Sequence, residues 1–346
     1  MTPLYKLNFI NGNIITLDES CPFAESISIV NGKISGINAA DHTAKNIDLK
    51  GATIIPGFTD AHFHLTNLGK QIDTLQLRDC SSASEISEMI LEKSREVSEE
   101  EWILGFGWDH NKWNNSEFPK STVLNNLPVP QPVMLTRIDG HSCWVNKKAM
   151  HLSGLDVSIN PPDGGKIIND CILIDNAMNP VQFIIPKPDE VLVEKWIKLA
   201  LDIIATRGIT NIHDAWQDPV TVKVLKKISD NNELPLRVYG MLGSSHNKLL
   251  NQFFECGHYK SENYTIRSVK AFIDGALGSR GAALLKPYSD DHNNCGLILI
   301  SHEEFKDLAL RCRDADFQLC THAIGDSGNR MVLDIYSEAT QKIKNH

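Results

Sequence analysis

The chain has 346 residues, of which 42% are hydrophobic and 22% charged, a composition that excludes a mainly disordered protein. Its net charge of -9 and its pI of about 5.8 argue against nucleic acid or an anionic membrane as a partner, because both require a positively charged face. This length accommodates one large α/β domain and a smaller appendage, and the charge suits a small neutral or cationic substrate.

The eight cysteines are scattered singly without a C-x-x-C pair, which indicates reduced and mostly buried thiols. Residues 1–6 contain no long apolar stretch, and the chain turns polar at residues 11–13, so we expect neither a signal peptide nor a membrane-spanning helix. These features predict a cytoplasmic protein.

Short apolar runs broken by Asn-Gly turns occupy residues 4 to about 55 and predict a small antiparallel β module. The apolar run at 52–58 is typical of a buried core strand, and it leads into Asp60-Ala61-His62-Phe63-His64. Because side chains alternate along a strand, His62 and His64 point to the same side and can bind one metal ion. The alternative is a hydrogen-bonded structural pair.

Residues from about 66 to 188 form a long insertion with one clear helix, at 84–101, and two aromatic-rich segments, at 102–113 and 132–144. An insertion of this length above the carboxyl end of a strand predicts a lid or a substrate wall. Its tryptophans pack the lid more readily than they stack on a cofactor.

From residue 189 onward, helical and strand patterns alternate, which predicts a parallel sheet with its reactive groups at the carboxyl ends of the strands. The predicted helices are 189–207, 221–232 and 301–316, and the predicted strands are 209–214, 236–240, 268–274 and 317–322. Ser301 and Glu304 form a capping box at the start of the third helix.

Two of these strands carry candidate metal ligands. Lys270 is a lone lysine in an apolar strand, where it is deprotonated, chemically modified or paired with an acid such as Asp274. His322 ends another strand and is either a ligand or a structural histidine. His213, at a third strand end, is interpreted as a support for the ligands or as structural, whereas His141 lies in the insertion and is better placed to contact a substrate.

With these residues in place, the chain resembles the amidohydrolase superfamily, specifically the amidohydrolase-3 branch that includes N-substituted formamide deformylases. The resemblance covers essentially the whole chain and is strongest in the stretch 270–280. The other matching stretches are 55–64, 105–109, 139–141 and 321–326.

The resemblance implies a metal-dependent (β/α)₈ TIM-like barrel over residues 56–346 and a small β-sandwich to which residues 1–55 contribute. It implies one or two Zn²⁺ ions on His62, His64, a carboxylated Lys270 and His322, and hydrolysis of a C–N bond in a small amide or N-formyl compound by metal-activated water. Substrate contacts are expected from His141, Trp108, Asp109 and Arg280. Support of the ligands is expected from Asp60, His213 and Asp274.

The chain departs from this family after His322. The family uses a sixth-strand histidine and an eighth-strand aspartate, but only 24 residues remain, with one helix expected at 327–343 and His346 as the only later histidine. We therefore assign no catalytic residue and expect about five barrel strands. Either the sequence is truncated or a homo-oligomer or complementing C-terminal segment supplies the rest. The alternatives are a catalytically incompetent fragment and a deaminase on the same fold.

Overall fold

The computed structural model describes residues 5–39, 41–114, 116–155 and 161–341 and shows a mixed α/β protein. His346 and the end of the helix expected at 327–343 lie outside these ranges. Within them, no helix is long and apolar enough to cross a membrane.

The N-terminal region forms two small sheets around a cluster of buried aliphatic side chains, Ile14, Ala24 and Ile27. The strands are β1 (Lys6–Ile10), β2 (Asn13–Ile15), β3 (Phe23–Ala24), β4 (Ile27–Val30), β5 (Lys33–Ile37), β6 (Lys45–Asp48) and β7 (Thr53–Ile54). Their orders are β5-β4-β1-β6 and β3-β2-β7. The prediction of an antiparallel module is wrong for two pairs, because β1 pairs with β6 and β2 pairs with β7 in parallel.

The apolar run at 52–58 is divided between two sheets. β7 belongs to the N-terminal module, whereas β8 (Phe58–Phe63) begins a different sheet and is followed by α1 (Leu65–Asp73). Pro56 lacks the N–H that a continuous ladder would need, and a Cβ at Gly57 would lie 2.2 Å from the Thr210 side chain. The expectation of one continuous core strand leading into the histidines is therefore wrong.

The insertion folds around a second, mixed sheet with the order β13-β14-β12-β11-β10-β9. Its elements are β9 (Leu75–Gln76), α2 (Ala83–Ser94), β10 (Ile103–Trp108), α3 (Ser121–Asn125), β11 (Val133–Arg137), β12 (Ser142–Val145), α4 (Lys147–Leu152), β13 (Gly165–Ile168), β14 (Ile172–Asp175) and α5 (Asn179–Ile184). The helix expected at 84–101 ends at Ser94, since a turn follows in which Ser98 N–H donates to the Glu101 carboxylate at 2.8 Å.

The remaining chain alternates between helices and strands as predicted. The elements are α6 (Glu190–Thr206), β15 (Ile209–Gln217), α7 (Pro219–Asp230), β16 (Arg237–Gly243), α8 (Asn247–Cys256), β17 (Tyr259–Lys260), β18 (Tyr264–Phe272), α9 (His302–Asp314), β19 (Gln318–His322) and α10 (Asp326–Gln341). Five strands pair in parallel in the order β8-β15-β16-β18-β19, and β17 pairs antiparallel with β18. The capping box of Ser301 and Glu304 is confirmed.

Candidate metal centre

The two histidines at the end of β8 lie side by side. Their ring centroids are 5.3 Å apart, and the Asp60 carboxylate accepts the backbone N–H of His62 at 3.0 Å. Among the strands that the structure describes, β8 pairs only with β15 and lies at the edge of the sheet, and His62 is exposed and His64 half-buried. This corrects the expectation of a buried pair, and the binding of one ion by both rings stays a prediction.

The surroundings of His64 favour its neutral form. Burial lowers the pKa of the imidazole, and the nearby positive charges of His62 and Lys270 lower it further, against an opposing hydrogen bond to the Ala215 carbonyl. Metal ligation requires a neutral imidazole, and a backbone carbonyl on one ring nitrogen leaves the other available. His64 is therefore suited to ligation.

A buried carboxylate that sequence analysis missed fixes the backbone next to His64. Asp214 accepts the Leu65 N–H at the start of α1 at 2.8 Å, although His64 itself provides no side-chain cap. Gln217 donates to the other Asp214 oxygen at 2.8 Å, and the Tyr264 hydroxyl donates to Gln217 at 2.6 Å. Burial raises the pKa of Asp214 to about 6. An acid at the end of an apolar strand was the available sequence signal.

Lys270 projects from β18 and is only 5% exposed. Burial lowers the pKa of its ammonium, whose Nζ lies 5.4 Å from the centroid of the Phe272 ring. Within the described ranges, the side-chain amine of Lys270 has no hydrogen bond or ion pair, which removes the alternative of an Asp274 salt bridge. Its partner across the strands is Cys320, a thiol that sequence analysis also missed, although Cys320 stands two positions before His322 on the same strand face.

His322 also has an unsatisfied polar atom. Its Nε2 is buried, has no hydrogen-bond partner within the part of the chain that the structure describes, and lies 3.8 Å from Asp274 Oδ1. The fully buried Asp274 carboxylate instead accepts backbone N–H groups from Ala283, Ile324 and Gly325 at 2.7 to 3.0 Å. Asp274 thus ties the loop after β18 to the turn that follows His322.

Two cavities open beside these groups. One, of about 470 Å³, is lined by His62, His213, Tyr239, Lys270 and Cys320 among others. The other, of about 390 Å³, contains His64, Trp216 and Phe272 in its wall. His213 therefore lies beside His62 and Lys270, with its ring 5.0 Å from that of Tyr239.

The candidate donors are His62, His64, Lys270 and His322, of which lysine is not a usual metal ligand unless it is modified. Among the described residues, no group of three or more His, Cys, Asp or Glu side chains is placed to hold a metal. The histidine pair, the unpartnered Lys270 and the orphaned Nε2 of His322 are nevertheless the nitrogen donors that such an ion would satisfy.

The substrate contact predicted for Trp108 requires correction. Its side chain is fully buried in the insertion core, and its indole N–H donates to the Leu135 carbonyl at 2.8 Å. The neighbouring Asp109 carboxylate is half-buried and pairs with Arg137 at 2.9 Å. A buried aromatic ring with a satisfied N–H packs the insertion and is not accessible to a substrate.

The other predicted substrate contacts lie on exposed segments. His141 is 78% exposed and contacts Asp175 at 3.1 Å, while Arg280 has a φ of 56° and pairs with Asp290 at 3.0 Å. Neither residue lines the two cavities described above. Their contact with a substrate stays a prediction.

Comparisons with known proteins find similar sequences along nearly the whole chain. The family model described as "Amidohydrolase family" matches residues 45–346. The chain is 30% identical to Protein LONG AFTER FAR-RED 3 of Arabidopsis thaliana, with 94% of this chain and 60% of the relative covered. It is 23% identical to the N-substituted formamide deformylase of Arthrobacter pascens, with 100% and 68% covered.

A solved structure has the same fold. This uncharacterized metal-dependent hydrolase from Pyrococcus furiosus superimposes with a TM-score of 0.81 at 24% identity, over 96% of this chain and 70% of that one. The chain spans about three fifths of the length of the Arabidopsis relative.

Proposed function

Since the chain belongs to the amidohydrolase family, we propose that it is a metal-dependent hydrolase that cleaves a non-peptide C–N bond in a small amide or N-formyl compound. The proposal rests above all on Lys270, an almost fully buried residue whose amine faces a cavity without an acidic partner among the described residues, near an adjacent pair of histidines. A buried lysine without a counter-ion is costly unless its amine is neutral or modified. The activity named for the Arthrobacter relative, an N-substituted formamide deformylase, supports the N-formyl class.

The residues that would hold the metal are His62, His64, Lys270 and His322. A neutral Lys270 amine can add carbon dioxide and release one proton, which gives a carbamate with a carboxylate-like oxygen pair. Zn²⁺, as one or two ions, suits a donor set dominated by imidazole. Such an ion, when bound, polarises a carbonyl and lowers the pKa of water.

The chain's own residues keep these donors in place. Asp60 holds the backbone of His62, and the Ala215 carbonyl orients the ring of His64. Asp274 fixes the turn after His322 through two backbone N–H groups. His213 in the wall of the larger cavity is available to support the ligands or to contact the substrate.

The parallel strands β8, β15, β16, β18 and β19 would be the first five of a (β/α)₈ barrel, and the N-terminal sheets would form part of a small sandwich. The insertion would supply a substrate wall. A second copy of the chain or a complementing C-terminal segment would complete the barrel. The eight cysteines are free, which fits a cytoplasmic protein.

The test is metal analysis of the purified chain, followed by a screen of N-formyl and N-acyl amines with and without added zinc. We expect bound metal at one or two ions per chain and zinc-dependent release of amine. His64→Gln should lose metal, whereas His151→Gln, which changes an exposed histidine on α4, should not. A folded parent chain that retains no metal would contradict the proposal.

A further inference from the structure

Trp216 occupies an unusual backbone position near the carboxyl end of β15. Ala215 pairs with Met241 and Gln217 pairs with Leu242, so Trp216 is the extra residue of a β-bulge. Its φ is 106°, a region that bulky residues rarely adopt and that is strained for an indole side chain. Bulges beside active sites commonly redirect a side chain.

The space around Trp216 is shaped to its ring. A Cβ at Gly243 would lie 2.6 Å from Cε2 of the indole. Any larger residue at position 243 would therefore clash with the Trp216 ring where it packs over β16. The ring centroid lies 5.3 Å from that of Phe272 and 5.9 Å from that of His246. The neighbours Ala215 and Gln217 are fully buried, whereas Trp216 is half-buried. The bulge therefore places an aromatic surface at the rim of the sheet.

This surface belongs to the same cavity as His64. Trp216, Phe272 and His64 line a space of about 390 Å³, which is in the range of pockets for small organic ligands. The indole N–H of Trp216 has no acceptor among the described residues, as is also the case for the buried Nε1 of Trp144, whereas Trp108, Trp113 and Trp196 each donate to an oxygen. Trp216 thus offers a ring face and an unused donor beside a proposed metal ligand.

We propose that Trp216 is a specificity-determining wall of the substrate pocket and that it selects amides carrying a planar aromatic ring. This inference rests on the hydrolase function proposed above and names its substrate class. The ring of the substrate stacks against Trp216 and Phe272, and the amide lies toward His64. The backbone strain at Trp216 is retained because the fold holds the indole in this position.

The test compares three probes that differ only in one substituent: N-benzylacetamide, N-(cyclohexylmethyl)acetamide and N-methylacetamide. Calorimetry on the zinc-supplemented chain should give N-benzylacetamide an affinity about three- to tenfold above the cyclohexylmethyl probe, the range expected for ring stacking beyond apolar burial. N-methylacetamide should bind most weakly. Trp216→Leu should abolish the preference for the planar ring, and Trp216→Phe should keep part of it.

Trp102→Leu is the matched control, because Trp102 is also half-buried but packs within the insertion; it should keep the full preference. Circular dichroism verifies that each variant folds. If Trp216→Leu does not fold, Trp216→Phe provides the test, and its preference for the benzyl probe should be smaller than that of the parent. Equal binding of the benzyl and cyclohexylmethyl probes by the parent, or an unchanged preference in a folded Trp216 variant, would overturn the inference. A Trp216-dependent preference without hydrolysis of any probe would instead retain the pocket and contradict the proposed reaction.

Discussion

The parallel sheet and the insertion sheet bury their side chains differently. In the insertion, alternate residues of β11 pack on opposite faces: Val133 and Leu135 join one apolar cluster, and Met134 joins the other. In the parallel sheet, Val269 and Ala271 of β18 join the core under the helices, whereas Lys270 faces a cavity. One sheet is thus apolar on both faces, and the other has a polar face.

This difference distinguishes a sheet that packs on both faces from a sheet with one face on a cavity. Trp108 belongs to the sheet that is covered on both sides, and its polar atom is satisfied by a backbone carbonyl. In the other sheet, the Lys270 amine and the Nε2 of His322 make no hydrogen bond to a described residue. Two buried atoms of the insertion sheet, Arg137 Nε and Trp144 Nε1, also lack such a bond. An unpartnered polar group at the carboxyl end of a parallel strand is the stronger indication of function.

Trp108→Ala should produce the largest effect of the four substitutions. It should lower the stability of the fold and leave zinc affinity unchanged. Removing a fully buried indole leaves a cavity and should lower the free energy of unfolding by about 3–5 kcal/mol. Urea unfolding measures this loss, and competition with a chromophoric chelator should show unchanged zinc affinity in the folded fraction. A selective loss of zinc affinity with normal stability would break the division between the two sheets.

Asp214 should make the stability of the parallel sheet depend on pH. Its folded-state pKa of about 6 exceeds the ordinary 3.8, so its stabilising contribution is complete below pH 3.8 and is lost as pH rises through 6. The loss amounts to about 3 kcal/mol in the free energy of unfolding. Urea unfolding between pH 4 and 7 should show this slope in the parent relative to Asp214→Asn. A difference that is independent of pH would refute the assignment.

Lys270→Met should separate metal binding from stability. Zinc affinity should fall by more than about 100-fold. Loss of a residue that only orients a metal ligand costs at most about that much, so a larger loss identifies Lys270 as a ligand. The free energy of unfolding should be unchanged or higher, because the variant no longer buries an amine. In ¹³CO₂-labelled protein, the carbamate signal in the ¹³C spectrum should be present in the parent and absent from the variant. Lys306→Met, at an exposed ion pair with Glu338, is the control.

Asp274→Asn should have the smallest effect. It replaces one acceptor oxygen with an amide that faces backbone N–H groups, which loosens the turn after His322. Zinc affinity should fall about 10- to 100-fold, as for other residues that orient ligands. Competition with the chromophoric chelator measures this change in zinc affinity. Normal affinity together with lowered stability would restrict Asp274 to a structural role.

Several local features could be predicted from the sequence because they depend on near neighbours. Ser301 and Glu304 are three residues apart, so their capping box needed no tertiary information. The helix-strand alternation after residue 189 is likewise a matter of local periodicity. The prediction of one strand at 52–58 is wrong because hydrophobicity does not reveal which of two sheets a short strand joins.

The sequence by itself determined which donors are present and which alternate positions they occupy: His62 and His64 at one strand end, with Lys270 and His322 on later strands. Only the tertiary structure decided that Lys270 lacks an acid partner among the described residues, that Asp214 holds the N–H of Leu65, and that Trp216 bulges into the cavity of His64. Asp214 and Leu65 are 149 positions apart. Contacts over such distances depend on how the strands pair, which periodicity within each strand does not encode.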